Sequence, residues 1–249
     1  MTFPPQSIAD LRFFDPRAQI DHGNNRLPRS DRTGVACFVT FRLADSIPQD
    51  QLRIWAAERR AWLARNPPPH TEGRGREHDE LFTAKIEDWL DRGMGSCALR
   101  DRATRQALTD TLSHSEGSRY KSHAWIVMPK HVHLLFSPLA ERTIASLVHS
   151  WKGVSARQAN QLLGRTGEFW MKDYFDRLIR DSTHFWRCAR DIRRNPEKAN
   201  RPASDYTHYE APFVRIFLNS KPTGDTPIAA HQPSPTGRQK CRRSVQFSL

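Results

Sequence analysis

Hydrophobic positions along the chain switch between a period of two and a period near 3.6, and the switches outline a succession of elements. Val35-Ala-Cys-Phe-Val-Thr-Phe-Arg-Leu43 is β-branched and aromatic, which predicts a strand. Gln51 to Arg65 and Asp79 to Arg92 carry apolar residues at helical spacing, with Leu81, Ile86, Trp89 and Leu90 on one side of the second. Asp101 to His114 predicts a third helix. Ser122 to Met128 and His131 to Ser137 are rich in strand formers and flank Pro129-Lys130, so they predict an antiparallel pair joined by a short turn. A long amphipathic helix is expected from about Thr143 to Leu163, apolar at Ile144, Leu147, Val148, Trp151 and Leu162. Trp170 to Asp181 holds a short strand. After it, Ser182 or Thr183 caps a helix that runs to Asn195, because Pro196 pushes the preceding residue out of the α region. Strand, helices, hairpin, long helix, strand, helix is an α+β order, best met by a ferredoxin-like or RRM-like antiparallel sheet with helices on one face.

Composition changes at the borders of this pattern. Residues 1–33 hold Pro4, Pro5, Pro16 and Pro28 among scattered charges and read as an extended N-terminal arm. Residues 34–200 form the folded domain, with a loop or insertion at 66–79, and 201–218 are a C-terminal extension. Residues 219–249 carry four prolines and five Lys or Arg against one Asp, the composition of a flexible basic tail.

Over 249 residues, 39 Lys and Arg against 27 Asp and Glu leave a net charge of +12, which favours polyanionic partners such as nucleic acid. No apolar run exceeds five residues, so neither a membrane-spanning helix nor a secretory signal is expected. The four cysteines stand far apart with no CxxC spacing, which argues against a zinc ribbon or a disulfide framework and points to the reducing cytoplasm.

Candidate chemistry centres on His131-Val132-His133. Residues i and i+2 of a strand project from one face about 6.5 to 7 Å apart, so the two imidazoles can converge on one cation. Taken alone, HxH is more often the mark of two satisfied sheet histidines, and the context decides. On the last helix, Phe185, Cys188, Ala189 and Ile192 make the buried stripe, while Asp191 and Asn195 share its edge.

The block Trp125-Ile-Val-Met-Pro-Lys-His-Val-His-Leu-Leu-Phe136 resembles the "MPxHVHLL" segment of the HUH single-tyrosine transposases, in particular the REP-associated tyrosine transposases. Phe38 to Ser46 is similar to that family's first strand, Leu147 to Gly153 with Ser155, Ala156 and Asn160 to its long helix, and Gly167 to Asp181 to its last strand. Asn195-Pro-Glu-Lys-Ala199 resembles its "NPxKA" block. The resemblance spans about Val35 to Asn200, in order. It implies that His131 and His133 hold a divalent ion, Mg or Mn, with Asn195 as third ligand. It also implies that a tyrosine hydroxyl attacks a DNA phosphate to give a 5′-phosphotyrosine and a free 3′-OH. The implied substrate is single-stranded hairpin DNA, and the protein acts as a monomer or homodimer.

The sequence departs from the family at the nucleophile. The motif "YIxxNP" has its tyrosine four residues before the Asn, and here that position is Asp191. Two substitutes are considered: Tyr174 reaching the site from the last strand, or Asp191 activating a water to leave a metal-dependent nuclease. Lys152, Arg157, Arg177, Arg180, Arg193 and Arg194, with Arg142, His149 and Arg190, make a candidate phosphate-binding surface. Arg238, Lys240, Arg242 and Arg243 of the tail are expected to add sequence-independent affinity. Three functions compete: an active single-strand endonuclease and strand transferase, a catalytically silent descendant that still binds DNA, and an unrelated RRM-like RNA-binding module. The last lacks an RNP-type aromatic block.

Overall fold

The computed structural model describes residues 7–15, 34–67, 72–78, 81–82, 85, 89, 95–139 and 142–220. Five strands pair antiparallel in the order β4-β1-β3-β2-β5: β1 (Cys37–Arg42), β2 (Tyr120–Val127), β3 (His131–Pro138), β4 (Phe175–Leu178) and β5 (Thr207–Glu210). The first four strands, with the helices between them, follow the β-α-β-β-α-β course of a ferredoxin-like fold, so the expected α+β antiparallel class is what forms.

Alternation along the strands divides the molecule into two layers. Cys37, Val39 and Phe41 of β1, with Val132, Leu134 and Phe136 of β3, face α3 (Arg102–His114) and α4 (Ile144–Leu162). The helices answer with Leu108, Leu112, Leu147, Val148 and Trp151. Phe38 of β1, Leu135 of β3, and Ala124 and Ile126 of β2 face the other way. There they meet Phe185, Trp186, Cys188, Ala189 and Ile192 of α5 (Ser182–Lys198), and Val214 and Leu218 of α6 (Pro212–Ser220). The expectation of helices on one face therefore holds for the ferredoxin-like core alone, and α5 and α6 cover the opposite face. No sheet face of the described residues stays open as an RRM-type platform.

Between β1 and β2 comes α1 (Gln49–Arg65), whose Trp55 and Trp62 pack with Phe82 in a small separate cluster. A short helix, α2 (Glu72–His78), occupies part of the expected loop at 66–79, and most of the expected helix at 79–92 lies outside the described residues. Of the N-terminal arm, Leu11 is buried against the α5 layer, Arg12 bridges Val35, and the Phe14 amide donates to the Ile179 carbonyl at 2.8 Å. β5 and α6 fill the C-terminal extension and run two residues into the expected tail; residues 221–249 lie outside the described residues.

Helix ends follow capping chemistry. Asp101 accepts from the Thr104 amide, Thr143 from the Ser146 amide, and Asp181 from the His184 amide. The cap of α5 is thus Asp181, one residue before the predicted Ser182 or Thr183. The helix also passes through Pro196, where a stop was expected. The proline ring joins the buried stripe, and the Ala199 amide still reaches the Asn195 carbonyl at 3.0 Å, so one lost hydrogen bond does not end the helix. Leu162, expected on the apolar side of α4, is 53% exposed, because the stripe ends at Ala159. No helix among the described residues is long and apolar enough to cross a membrane.

Candidate functional site

The strand register that builds the α5 layer also gathers its polar groups. Thr40 lies opposite His133 and Arg42 opposite His131, so β1 lines the histidine pair on the same face. The imidazole centroids of His131 and His133 are 4.6 Å apart. Phe38 stacks on His133 at 5.5 Å, and Thr40 Oγ1 sits 2.7 Å from His133 Nδ1, fixing the ring from behind. Nε2 of His133 therefore points towards α5, where Asn195 Nδ2 lies 3.4 Å away.

Three features make this cluster a donor set. Burial pushes His131 down to about 3, with the Lys130 ammonium adding to the effect and an Asn195 hydrogen bond opposing it. His133 is held well below its ordinary value, first by burial and then by the fields of His131, Arg177 and Lys198. Both rings are consequently neutral at neutral pH, the form that donates a lone pair to a metal. His131 Nδ1 and Asn195 Oδ1 are buried with no hydrogen-bond partner within the protein. Among the described residues, no three His, Cys, Asp or Glu side chains gather at metal-binding spacing.

Asp191 lies one turn before Asn195 on α5, half-exposed, with its carboxylate 3.1 Å from Lys198 Nζ. Tyr174 does not join it. Its ring packs against the α3 and α4 layer, on the far side of the sheet from the histidines, and burial together with the Asp176 and Cys37 charges pushes its phenol up to about 12. Tyr120 is fully buried, donating to the Leu112 carbonyl, and Tyr209 stacks on Trp125 at 5.6 Å. Tyr206 is partly buried in the α5 layer, the histidines' side of the sheet, where it leads into β5.

The expected phosphate-binding residues divide. Arg193 is committed to structure: it clamps the Glu210 carboxylate with two nitrogens and reaches Asn219 at 2.9 Å. Burial would raise Glu210, but the hydrogen bonds from Arg193 and His208 outweigh it and pull the carboxyl down to about 2. Lys152 donates to the carbonyls of Met171 and Lys172, tying α4 to the segment before β4. Arg157, Arg180 and Arg194 are exposed, and Arg177 lies beside Phe38 in the histidine layer. Thr40, Arg42 and Phe38 were not singled out by sequence. The signal was present in the alternation of β1, whose inward polar residues fall in step with His131 and His133 once the strands pair.

Residues 101–184 match the family model described as "Transposase IS200 like". That segment includes β2, β3, α4 and β4, and with them both histidines, so the transposase resemblance is met there. A search of curated proteins finds no match. A solved structure described as a REP-associated tyrosine transposase bound to a REP hairpin aligns at 16% identity with a TM-score of 0.40, covering 82% of this chain and 94% of that one.

Proposed function

We propose that this protein is a transposase-like, metal-dependent processor of single-stranded hairpin DNA, cutting with water in place of a tyrosine. The observation that carries the reading is the convergence of two neutral histidines, one buried and one half-buried, with Asn195, where His131 Nδ1 and Asn195 Oδ1 lack partners within the protein. Such atoms are costly to bury unless a ligand completes them. His131, His133 and Asn195 would hold the divalent ion, Mg or Mn, a mixed nitrogen and oxygen set that leaves further positions to water and phosphate oxygens. When bound, the cation supplies charge neutralisation to the scissile phosphate.

The remaining work falls to the chain's own groups. Thr40 and Phe38 hold the His133 ring, and the Asp191 carboxylate, one turn from Asn195, takes the proton from an attacking water. The water oxygen bonds to phosphorus as the bond to the 3′ oxygen breaks, and the leaving 3′ oxygen takes a proton from solvent, giving a 5′-phosphate and a 3′-OH with no covalent protein adduct. A second reading, a silent DNA-binding descendant, is favoured by the Asp191–Lys198 ion pair, which occupies the carboxylate.

A labelled hairpin, drawn from inverted repeats flanking the gene and incubated with Mn, tests this on a denaturing gel. The wild type yields free cleaved ends without adduct, His131→Ala/His133→Ala yields neither, and Asp191→Tyr yields adduct. Uncut DNA with tight wild-type binding selects the silent reading. Abundant wild-type adduct overturns the water mechanism, and its loss in Tyr174→Phe or Tyr206→Phe would identify the nucleophile.

A further inference from the structure

Two arginines on the histidine face are unaccounted for by the metal site. Arg42 ends β1 directly opposite His131, and Arg177 on β4 lies opposite Phe38, the residue that stacks on His133. One guanidinium thus stands at each end of the histidine pair. Both have a buried Nε with no hydrogen-bond partner within the protein. Burial holds the Arg42 guanidinium down at about 10, and the Asp173 carboxylate offsets only part of that effect. Arg177 is stiffened by its rings, 5.0 Å over Phe38 and 5.7 Å over Phe175. Neither residue resembles Arg193, whose fork is filled by Glu210, or buried Arg105, which donates to the carbonyls of Leu99, Arg100 and Ser204 and to Thr207 Oγ1.

The fold therefore makes two kinds of arginine that are wholly or partly buried. One kind is satisfied and structural. The other is oriented, stacked or strand-anchored, and unsatisfied, beside a site whose reading requires an anion. A guanidinium fork matches two oxygens of a phosphate, and pre-orientation removes much of the ordering cost of binding one.

We propose that Arg42 and Arg177 form a two-point clamp for consecutive backbone phosphates of a DNA single strand, Arg42 holding the phosphate at His131 and Arg177 its neighbour beyond His133. The clamp rests on the DNA-processing reading and adds to it the path of the strand, which runs from the β1–β3 end towards β4. It is independent of the cation, so it persists without metal.

Fluorescence anisotropy in EDTA tests it, using hairpin oligonucleotides with single-stranded arms that carry one neutral methylphosphonate linkage, moved position by position along the arm. The wild type should show two adjacent linkages at which neutralisation weakens binding at least several-fold. Arg42→Gln should erase the sensitivity at one of them and Arg177→Gln at the other, each lowering the salt slope by about 0.7. Arg42→Lys, which keeps charge but not the fork, should retain the salt slope and lose most of the linkage discrimination. A merely structural arginine would weaken all linkages alike. Uniform sensitivity in the wild type, which needs no variant to fold, overturns the clamp while leaving the DNA reading intact; no hairpin binding at low salt overturns both.

Discussion

On the face covered by α3 and α4, β1 contributes Cys37, Val39 and Phe41, none more than 1% exposed, to a continuous apolar cluster. On the α5 face the same strand contributes Phe38, Thr40 and Arg42, which border His133 and two residues with unfilled atoms, His131 and Asn195. One side of the sheet is packed for stability. The other gives up part of its packing to hold polar groups that fold-stabilising contacts do not use. A two-residue period lets a single strand serve both, since substitutions one residue apart act on different properties.

The largest effect should come from the apolar side. Trp151 packs edge-on to Tyr120 at 4.8 Å and to Phe136 at 5.1 Å, so Trp151→Ala should cost about 3 to 5 kcal/mol and lower the melting temperature by roughly 10 °C. Thermal unfolding followed by circular dichroism measures it, and a loss under about 1 kcal/mol would erase the contrast between the faces.

Next comes the Arg193–Glu210 clamp that secures β5 to α5. Glu210 is depressed in the folded protein, so its stabilisation is present above the ordinary carboxylate range and disappears as pH falls through about 2. Stability should drop by on the order of 3 kcal/mol between about pH 5 and pH 2, read from urea midpoints. In Arg193→Met/Glu210→Leu the drop should shrink, and an undiminished drop would place the acid sensitivity elsewhere.

Smaller still in stability is His131→Leu. An apolar side chain of similar size replaces a neutral ring with an unpaired nitrogen, so the change should stay within about 1 kcal/mol. Mn binding by calorimetry should nevertheless vanish, and Mn binding equal to wild type would remove His131 from the site. Asp191→Asn should move stability least, within about 0.5 kcal/mol, because its pair with Lys198 is exposed. It should tighten single-stranded DNA binding by freeing Lys198, and weaker binding in anisotropy at low salt would contradict that.

Much of this architecture is legible in the sequence. The β-branched run at Val35 to Leu43, the hairpin about Pro129-Lys130 and the stripe Phe185, Cys188, Ala189 and Ile192 are local patterns, and each became the element it predicted. Where local rules competed with packing, packing won. Pro196 stayed inside α5 because its ring is buried with the stripe, and β5 and α6 formed from a stretch read only as an extension, since a short edge strand gains its hydrogen bonds from β2.

The site divides the same way. His131 and His133 sharing a face followed from strand periodicity, and Asp191 standing where a tyrosine was expected was visible as a letter in the sequence. Only the tertiary structure decided that Tyr174 turns away to the other layer, that Arg193 and Lys152 are spent on internal bonds, and that Thr40 and Arg42 join the histidines. The physical reason is range. Periodicity and capping act over a few residues and are written in neighbouring side chains, whereas which groups meet across the sheet depends on register between strands some ninety residues apart, as Thr40 and His133 are, and that register is set by burial of the whole core.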